Sequence, residues 1–158
     1  MKNNDKTNVM RILDKAKISY EYHNYVDTGV ISGDEVAKVL GQDPAKVFKT
    51  LVTVGASKKN YVFMIPVCRE LDLKKAAKAV GEKNIEMIKS KDLLPLTGYI
   101  HGGCSPIGMK KYFKTVADSS SEGFDTIIFS GGKIGYQVEM PLCDLLKVIP
   151  LQTAELCV

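Results

Sequence analysis

Apolar positions recur along this chain with two different periods, and the change from one to the other organises it. Val9, Ile12, Leu13 and Ala16 fall at the i, i+3, i+4, i+7 spacing of one helical face, and Thr7 stands where an N-cap belongs. Residues 18–25 are rich in β-branched and aromatic side chains and read as a strand ending in His23-Asn24-Tyr25. Asp27-Thr28-Gly29 turns the chain. Ser32 and Glu35 then form a capping box before Val36, Ala37, Val39 and Leu40, with Gly41 closing that helix. Asp43-Pro44 opens a further helical turn, since proline is tolerated at the first helical position.

From Val47 the pattern becomes that of strands. Residues 47–54 and 61–67 flank a polar turn and predict a hairpin. Helical spacing returns over 71–80, with Leu73, Ala76, Ala77 and Val80 inward and Gly81 at the end. A short strand over 84–88 and a helical turn from Ser90 through Leu94 follow. Tyr99-Ile100 reads as a β-like run leading into a glycine loop. Strands over 113–117, 125–130 and 136–140 come next, with a turn over 118–123 and a closing helix over 141–148 that sets Leu142, Leu145 and Leu146 at helical spacing. Helices early and strands throughout predict a mixed α/β domain without regular βαβ alternation.

Composition narrows the picture only a little. At 158 residues, with 45% hydrophobic and 25% charged positions, the chain is expected to form one soluble globular domain over 1–158. The net charge of +4 permits an anionic partner without demanding one. Lysines cluster at Lys74, Lys75 and Lys78 and again at Lys110, Lys111 and Lys114; each group reads either as a solvated face or as a phosphate contact. The start is polar with no apolar core behind it, and no apolar run reaches membrane-spanning length, so neither a secretory leader nor a membrane partner is expected. Cys68, Cys104, Cys143 and Cys157 show no CxxC or Cys/His ligand spacing. That argues against disulfides and a metal site, and for a reducing cytoplasm.

Candidate chemistry concentrates in two loops and one strand. Gly102-Gly103-Cys104-Ser105-Pro106-Ile107-Gly108 combines glycines, which let main-chain groups approach a ligand, with a proline that stiffens the loop. It reads either as an ordinary turn or as a main-chain-lined cradle for a small polar substrate. Ser130-Gly131-Gly132-Lys133 is a second such loop. Lys49 interrupts an apolar strand, where a lysine either snorkels to solvent or points at an anion. His101 and Cys104 invite a thiol-nucleophile reading, although no third group to orient the imidazole is identifiable. No P-loop, dinucleotide fingerprint, HExxH helix, GxSxG elbow or catalytic carboxylate pair is present, so no cofactor is implied.

Five blocks in order carry a resemblance. Phe48-Lys49-Thr50-Leu51, Leu71-Asp72-Leu73-Lys74-Lys75-Ala76-Ala77, Thr97-Gly98-Tyr99, the Gly102–Lys111 segment with its Ser105-Pro106, and Ser130-Gly131-Gly132-Lys133 resemble the YbaK-type aminoacyl-tRNA deacylases. These are relatives of the prolyl-tRNA synthetase editing domain, and the likeness runs from the first helix to about Ile149.

The resemblance implies a compact α/β domain with helices around a mixed, partly barrel-like β-sheet. It implies trans-acting hydrolysis of mischarged tRNA, chiefly Cys-tRNA(Pro), with prolyl-tRNA synthetase as partner and no cofactor. Lys49 matches the family's essential lysine, and Thr50 stands beside it in the same block. Tyr25, in its His-x-Tyr context, matches a pocket tyrosine. His101, Gly102, Gly103, Cys104, Ser105 and Pro106 match the segment that holds the aminoacyl group, and Ser130, Gly131 and Gly132 the opposite wall. The implied mechanism uses the substrate's own thiol as nucleophile and main-chain N–H groups near Gly103–Ser105, or Lys49, as oxyanion donors. Lys49 serves either the ester or the terminal nucleotide. Cys104 replaces an aliphatic residue and Ile134 an arginine common in relatives. A non-catalytic module that binds a tRNA end or nucleotide, and a thiol hydrolase using Cys104, are the competing readings.

Overall fold

A computed structural model describes residues 6–158; the polar start read from the sequence lies, over 1–5, outside the described residues. Among the described residues are five α-helices and eight strands, and the strands divide into two sheets. Helix α1 (Asn8–Lys15) begins as its sequence predicts, with Thr7 Oγ1 accepting the Met10 N–H at 3.2 Å, and buries Val9, Met10 and Leu13. Strand β1 (Glu21–Asn24) is shorter than its β-rich segment and pairs antiparallel with β7 (Tyr136–Met140), which in turn pairs with β6 (Ile127–Ser130). This three-stranded sheet therefore joins residues 21–24 to residues 127–140, far along the chain.

The larger sheet has the order β4-β2-β3-β5-β8. Its centre is the predicted hairpin of β2 (Phe48–Gly55) and β3 (Asn60–Pro66), in the register Lys49↔Ile65 and Thr50↔Met64. Strand β4 (Ile85–Met87) pairs with β2 only at Thr53–Gly55. On the other side β5 (Lys114–Asp118) and β8 (Gln152–Ala154) add in parallel. The sheets touch through one bridge, Val47 to Ile128, and do not close into a barrel. On the side of β2 facing away from β3, residues 48–51 lie between that bridge and β4 with no strand partner.

The alternation of hydrogen bonding says which main-chain groups face that open edge. Val67 N–H donates to Val47 O across the hairpin, and Ile88 N–H donates to Val52 O on the opposite side. Antiparallel ladders alternate, so Phe48 and Thr50 point their main-chain groups away from β3, while Lys49 uses its own within the hairpin. The bridge to Ile128 takes the Phe48 N–H, which leaves the Phe48 C=O and both groups of Thr50 at the open edge.

Four predicted details differ. Ser32 occupies the N-cap position of α2 (Gly33–Val39), but no capping side-chain hydrogen bond forms. Tyr99-Ile100 is not a strand: α4 (Ser90–Thr97) runs through Pro95, losing one helical hydrogen bond, and closes on Gly98 in the left-handed conformation at φ 84°. Helix α3 (Leu73–Val80) is capped by Asp72 and buries Ala76 and Ala77, but Leu73 at its first position is 43% exposed. Helix α5 (Leu142–Val148) buries Leu145 and leaves Leu146 exposed.

The short polar strand β8, absent from the sequence reading, is held by Asp118, whose Oδ1 accepts the Leu156 N–H at 2.9 Å and Oδ2 the Ser120 N–H at 3.2 Å. Burial raises the Asp118 pKa, but the hydrogen bonds from Ser120 and Leu156 outweigh it and leave the carboxyl below its ordinary 3.8. A carboxyl with a lowered folded pKa stabilises above its unfolded value and loses that contribution as pH falls through the folded one. Asp118→Ala is expected to cost about 1–3 kcal/mol at neutral pH, by urea denaturation, with the gap to wild type narrowing below about pH 4.

Candidate active site

The splayed edge of β2 opens into a cavity of about 580 Å³. Seven of the residues singled out from the sequence line it: Tyr25, Lys49, Thr50, His101, Gly102, Cys104 and Ser130. The other five stand behind the wall. Gly103, Ser105 and Pro106 are buried under the first loop, and Gly131 and Gly132 support the second.

Each wall has a local cause. Lys49 reaches the cavity from β2, half-buried, and takes part in no ion pair among the described residues. Beside it Thr50 Oγ1 is sealed from solvent with no hydrogen-bond partner. Tyr25 leaves β1 as the chain turns into a single 3-10 turn, Val26–Thr28, and its N–H donates to Gly135 O at 2.8 Å. This ties the start of the chain to the second glycine loop.

The two loops lean on each other through main chain. A Cβ on Gly103 would stand 3.1 Å from Ile134 N, and the Gly103 N–H already donates to Ile100 O at 3.0 Å. Gly103 is therefore a contact between loops, and its N–H is taken, which removes it from the expected oxyanion donors. Gly132 has φ 92° and donates its N–H to Ser130 Oγ at 3.1 Å, leaving the Ser130 hydroxyl proton free for the cavity. Ser105 Oγ accepts from Ile107 N–H, and Tyr99 donates its hydroxyl to Ile107 O, so the buried side of the first loop is pinned.

Burial pushes the Cys104 thiol up to about 12. That shift favours the protonated, weakly polar thiol at neutral pH and argues against the thiol-nucleophile reading. His101 is exposed, and no hydrogen bond joins it to Cys104.

Several wall residues carried no functional mark in the sequence. Ser32 and Asp34 reach the cavity from the start of α2, Lys89 from the start of α4, and Gln137 from β7. Asp34 is the one carboxylate in the lining among the described residues. Gln137 alternates with apolar neighbours and reads as solvent-facing; its burial comes from what packs over that face of β7, Gln42 and the cavity wall. On the same strand Glu139 takes His23 Nε2 at 2.8 Å on one oxygen, and Lys46 at 2.9 Å and Thr126 at 2.5 Å on the other. Burial raises the Glu139 pKa, but the Thr126, His23 and Lys46 hydrogen bonds bring it down to about 2. Glu21, His23 and Glu139 come near enough to ligate a metal, but the Lys46 ammonium already supplies the positive charge.

With this geometry in view, the comparisons decide the family. Residues 29–148 match the aminoacyl-tRNA editing domain. The chain belongs to that family. It is 44% identical over 156 residues, 98% of this chain and 95% of the relative, to an Enterococcus faecalis protein named "Putative Cys-tRNA(Pro)/Cys-tRNA(Cys) deacylase EbsC". It is 28% identical over 104 residues to a proline–tRNA ligase of Thermosipho melanesiensis, covering 65% of this chain and 18% of the ligase. A crystal structure described as "a putative trans-editing enzyme for prolyl tRNA synthetase" superposes with a TM-score of 0.83 at 22% identity, over 96% of this chain and 98% of that one. Within this editing domain, Lys49, Cys104, Ser130 and Gln137 lie inside the matched span and Tyr25 just before it.

The thiol environments lead to a direct expectation. Cys68 and Cys143 are exposed, Cys104 and Cys157 buried, with burial pushing Cys157 up to about 11. Iodoacetamide at pH 8 should label Cys68 and Cys143 in the folded protein and spare Cys104 and Cys157, as read by peptide mass spectrometry.

Proposed function

We propose that this chain is a single-domain, trans-acting aminoacyl-tRNA deacylase that hydrolyses the ester of mischarged tRNA, Cys-tRNA(Pro) foremost. The observation that carries the reading is the meeting of Lys49, the unpaired edge of β2 and both glycine loops around one cavity. The 44% identical relative's name pairs cysteine with two different tRNAs, which fits a cavity that reads the aminoacyl group and leaves tRNA identity to another surface. Strand β1 pairing with β7, and β8 completing the larger sheet, support one domain over 1–158.

An aminoacyl ester is already activated, so the protein need only hold it and stabilise the oxyanion. The cysteinyl thiol attacks its own carbonyl, its proton passes to the departing ribose oxygen, and water opens the released thiolactone. Lys49 Nζ and the Thr50 N–H at the open edge face the developing oxyanion. Asp34 takes the α-ammonium. Cys104, held protonated, contributes shape alone.

Prolyl-tRNA synthetase is the proposed partner and the cytoplasm the compartment; no helix among the described residues is long and apolar enough to cross a membrane. Of the two lysine groups, Lys110 and Lys111 continue the loop that walls the cavity, Lys114 opens β5, and all three are exposed. Helix α3 lines none of the cavity, and its Lys75 is held by Glu155 at 2.8 Å. The first group is the proposed phosphate contact.

Lys49→Ala should lower Cys-tRNA(Pro) deacylation by about a hundredfold or more while leaving the melting temperature unchanged. Wild-type turnover in that variant refutes the role of Lys49. A panel of tRNAs carrying cysteine, alanine, serine or proline tests the substrate, and binding without faster deacylation than buffer would favour the non-catalytic reading. Replacing Lys110, Lys111 and Lys114 together by alanine should raise KM, leave kcat in place and flatten the salt dependence of kcat/KM; the same changes at Lys74 and Lys78 should not.

A further inference from the structure

Gln137 stands mid-strand on β7, opposite His23 on β1 and Ser130 on β6, and is 5% exposed. Its Oε1 accepts Gln42 Nε2 at 2.8 Å, so the carbonyl end of its carboxamide is turned into the protein. The NH₂ end has no partner among the described residues, and it is not among the polar atoms sealed from solvent. The opening that Gln137 borders is the cavity.

This arrangement carries a cost on Gln42, whose Oε1 is sealed and unpaired. Reversing both amides would instead seal an NH₂ group, and orphaned buried N–H groups are rarer than under-satisfied carbonyls. The orientation that presents a donor to the cavity is thus the less costly one.

We propose that the Gln137 carboxamide NH₂ is a substrate-binding donor, aimed by Gln42, for an oxygen at the ester–ribose end of the aminoacyl adenosine. This rests on the deacylase reading. A donor cannot hold the α-ammonium, which has no acceptor, so the ester and ribose oxygens are the groups it fits. Gln42, which acts only through Gln137, is a positioning residue.

The test uses cysteine amide-linked to 3′-amino-3′-deoxyadenosine, which is not hydrolysed, and measures its affinity by calorimetry alongside Cys-tRNA(Pro) deacylation. Gln137→Glu keeps the bond from Gln42 but replaces the donor by an anionic oxygen. Gln42→Glu leaves Gln137 intact but offers it only acceptors, drawing its NH₂ away from the cavity. Each should weaken analogue binding roughly tenfold, and Gln42→Leu, which merely frees the amide, should weaken it less. A purely structural role predicts no such ranking. Wild-type affinity in both Glu variants overturns the inference, and Gln42→Glu keeps the test open if Gln137→Glu does not fold. A wild-type protein that binds the analogue but spares every mischarged tRNA overturns the deacylase reading and leaves the Gln137 comparison standing. One that does neither overturns both.

Discussion

The site exists because β2 has an unsatisfied edge. Main-chain N–H and C=O groups must find partners somewhere, and a bare sheet edge ordinarily invites another strand. Here β4 reaches only the far end of β2, and the bridge from Val47 to Ile128 pins the near end to the other sheet. Between them the sheets part. The edge is left facing a hollow instead of a neighbour, and the Phe48 carbonyl and the Thr50 N–H and C=O turn into it. A closed barrel would have satisfied those groups and removed the cavity.

The opposite walls follow from a second constraint, the close approach of two loops through main chain. Gly103 against the Lys133–Ile134 backbone leaves no room for a side chain, and that contact fixes how far Gly102 and Cys104 stand from Ser130. Tyr99 and Ser105, both buried, hold the first loop from behind. The result is a wall whose donors are placed before any substrate arrives, the condition under which electrostatic stabilisation is worth most. Cys104 adds bulk and little charge to that wall, since burial keeps its proton on. Together the two constraints hold the walls of the cavity in place through main-chain contacts.

The same face of the small sheet carries two polar rows. Gln42 and Gln137 form one, and His23, Glu139, Lys46 and Thr126 the other. The second row is bonded around Glu139, whose carboxylate meets an ammonium, and it braces β1, β6 and β7. The first row keeps one amide end unspent, and that end borders the cavity. Satisfaction of the one and incompleteness of the other distinguish a brace from a binding group.

The chain's local pattern determined most of the elements and the central suspects. The periodicity over 7–16, the hairpin from Val47 and the glycine loops were legible because helix faces, turns and strands depend on neighbours a few residues away. Lys49 stood out because a lysine breaks an apolar strand. Only tertiary structure could decide which loop residues line the cavity and which merely support it: Gly102 and Cys104 face it, whereas Gly103, Ser105 and Pro106 stand behind. It also decided the burial of Gln137, whose alternation with apolar residues is the signature of a solvent-facing position until Gln42 and the cavity wall pack over it. The reach of β4 along β2, which opens the cavity, belongs to the same class. Each depends on contacts between segments far apart in the chain, and no local periodicity encodes the register in which such segments meet.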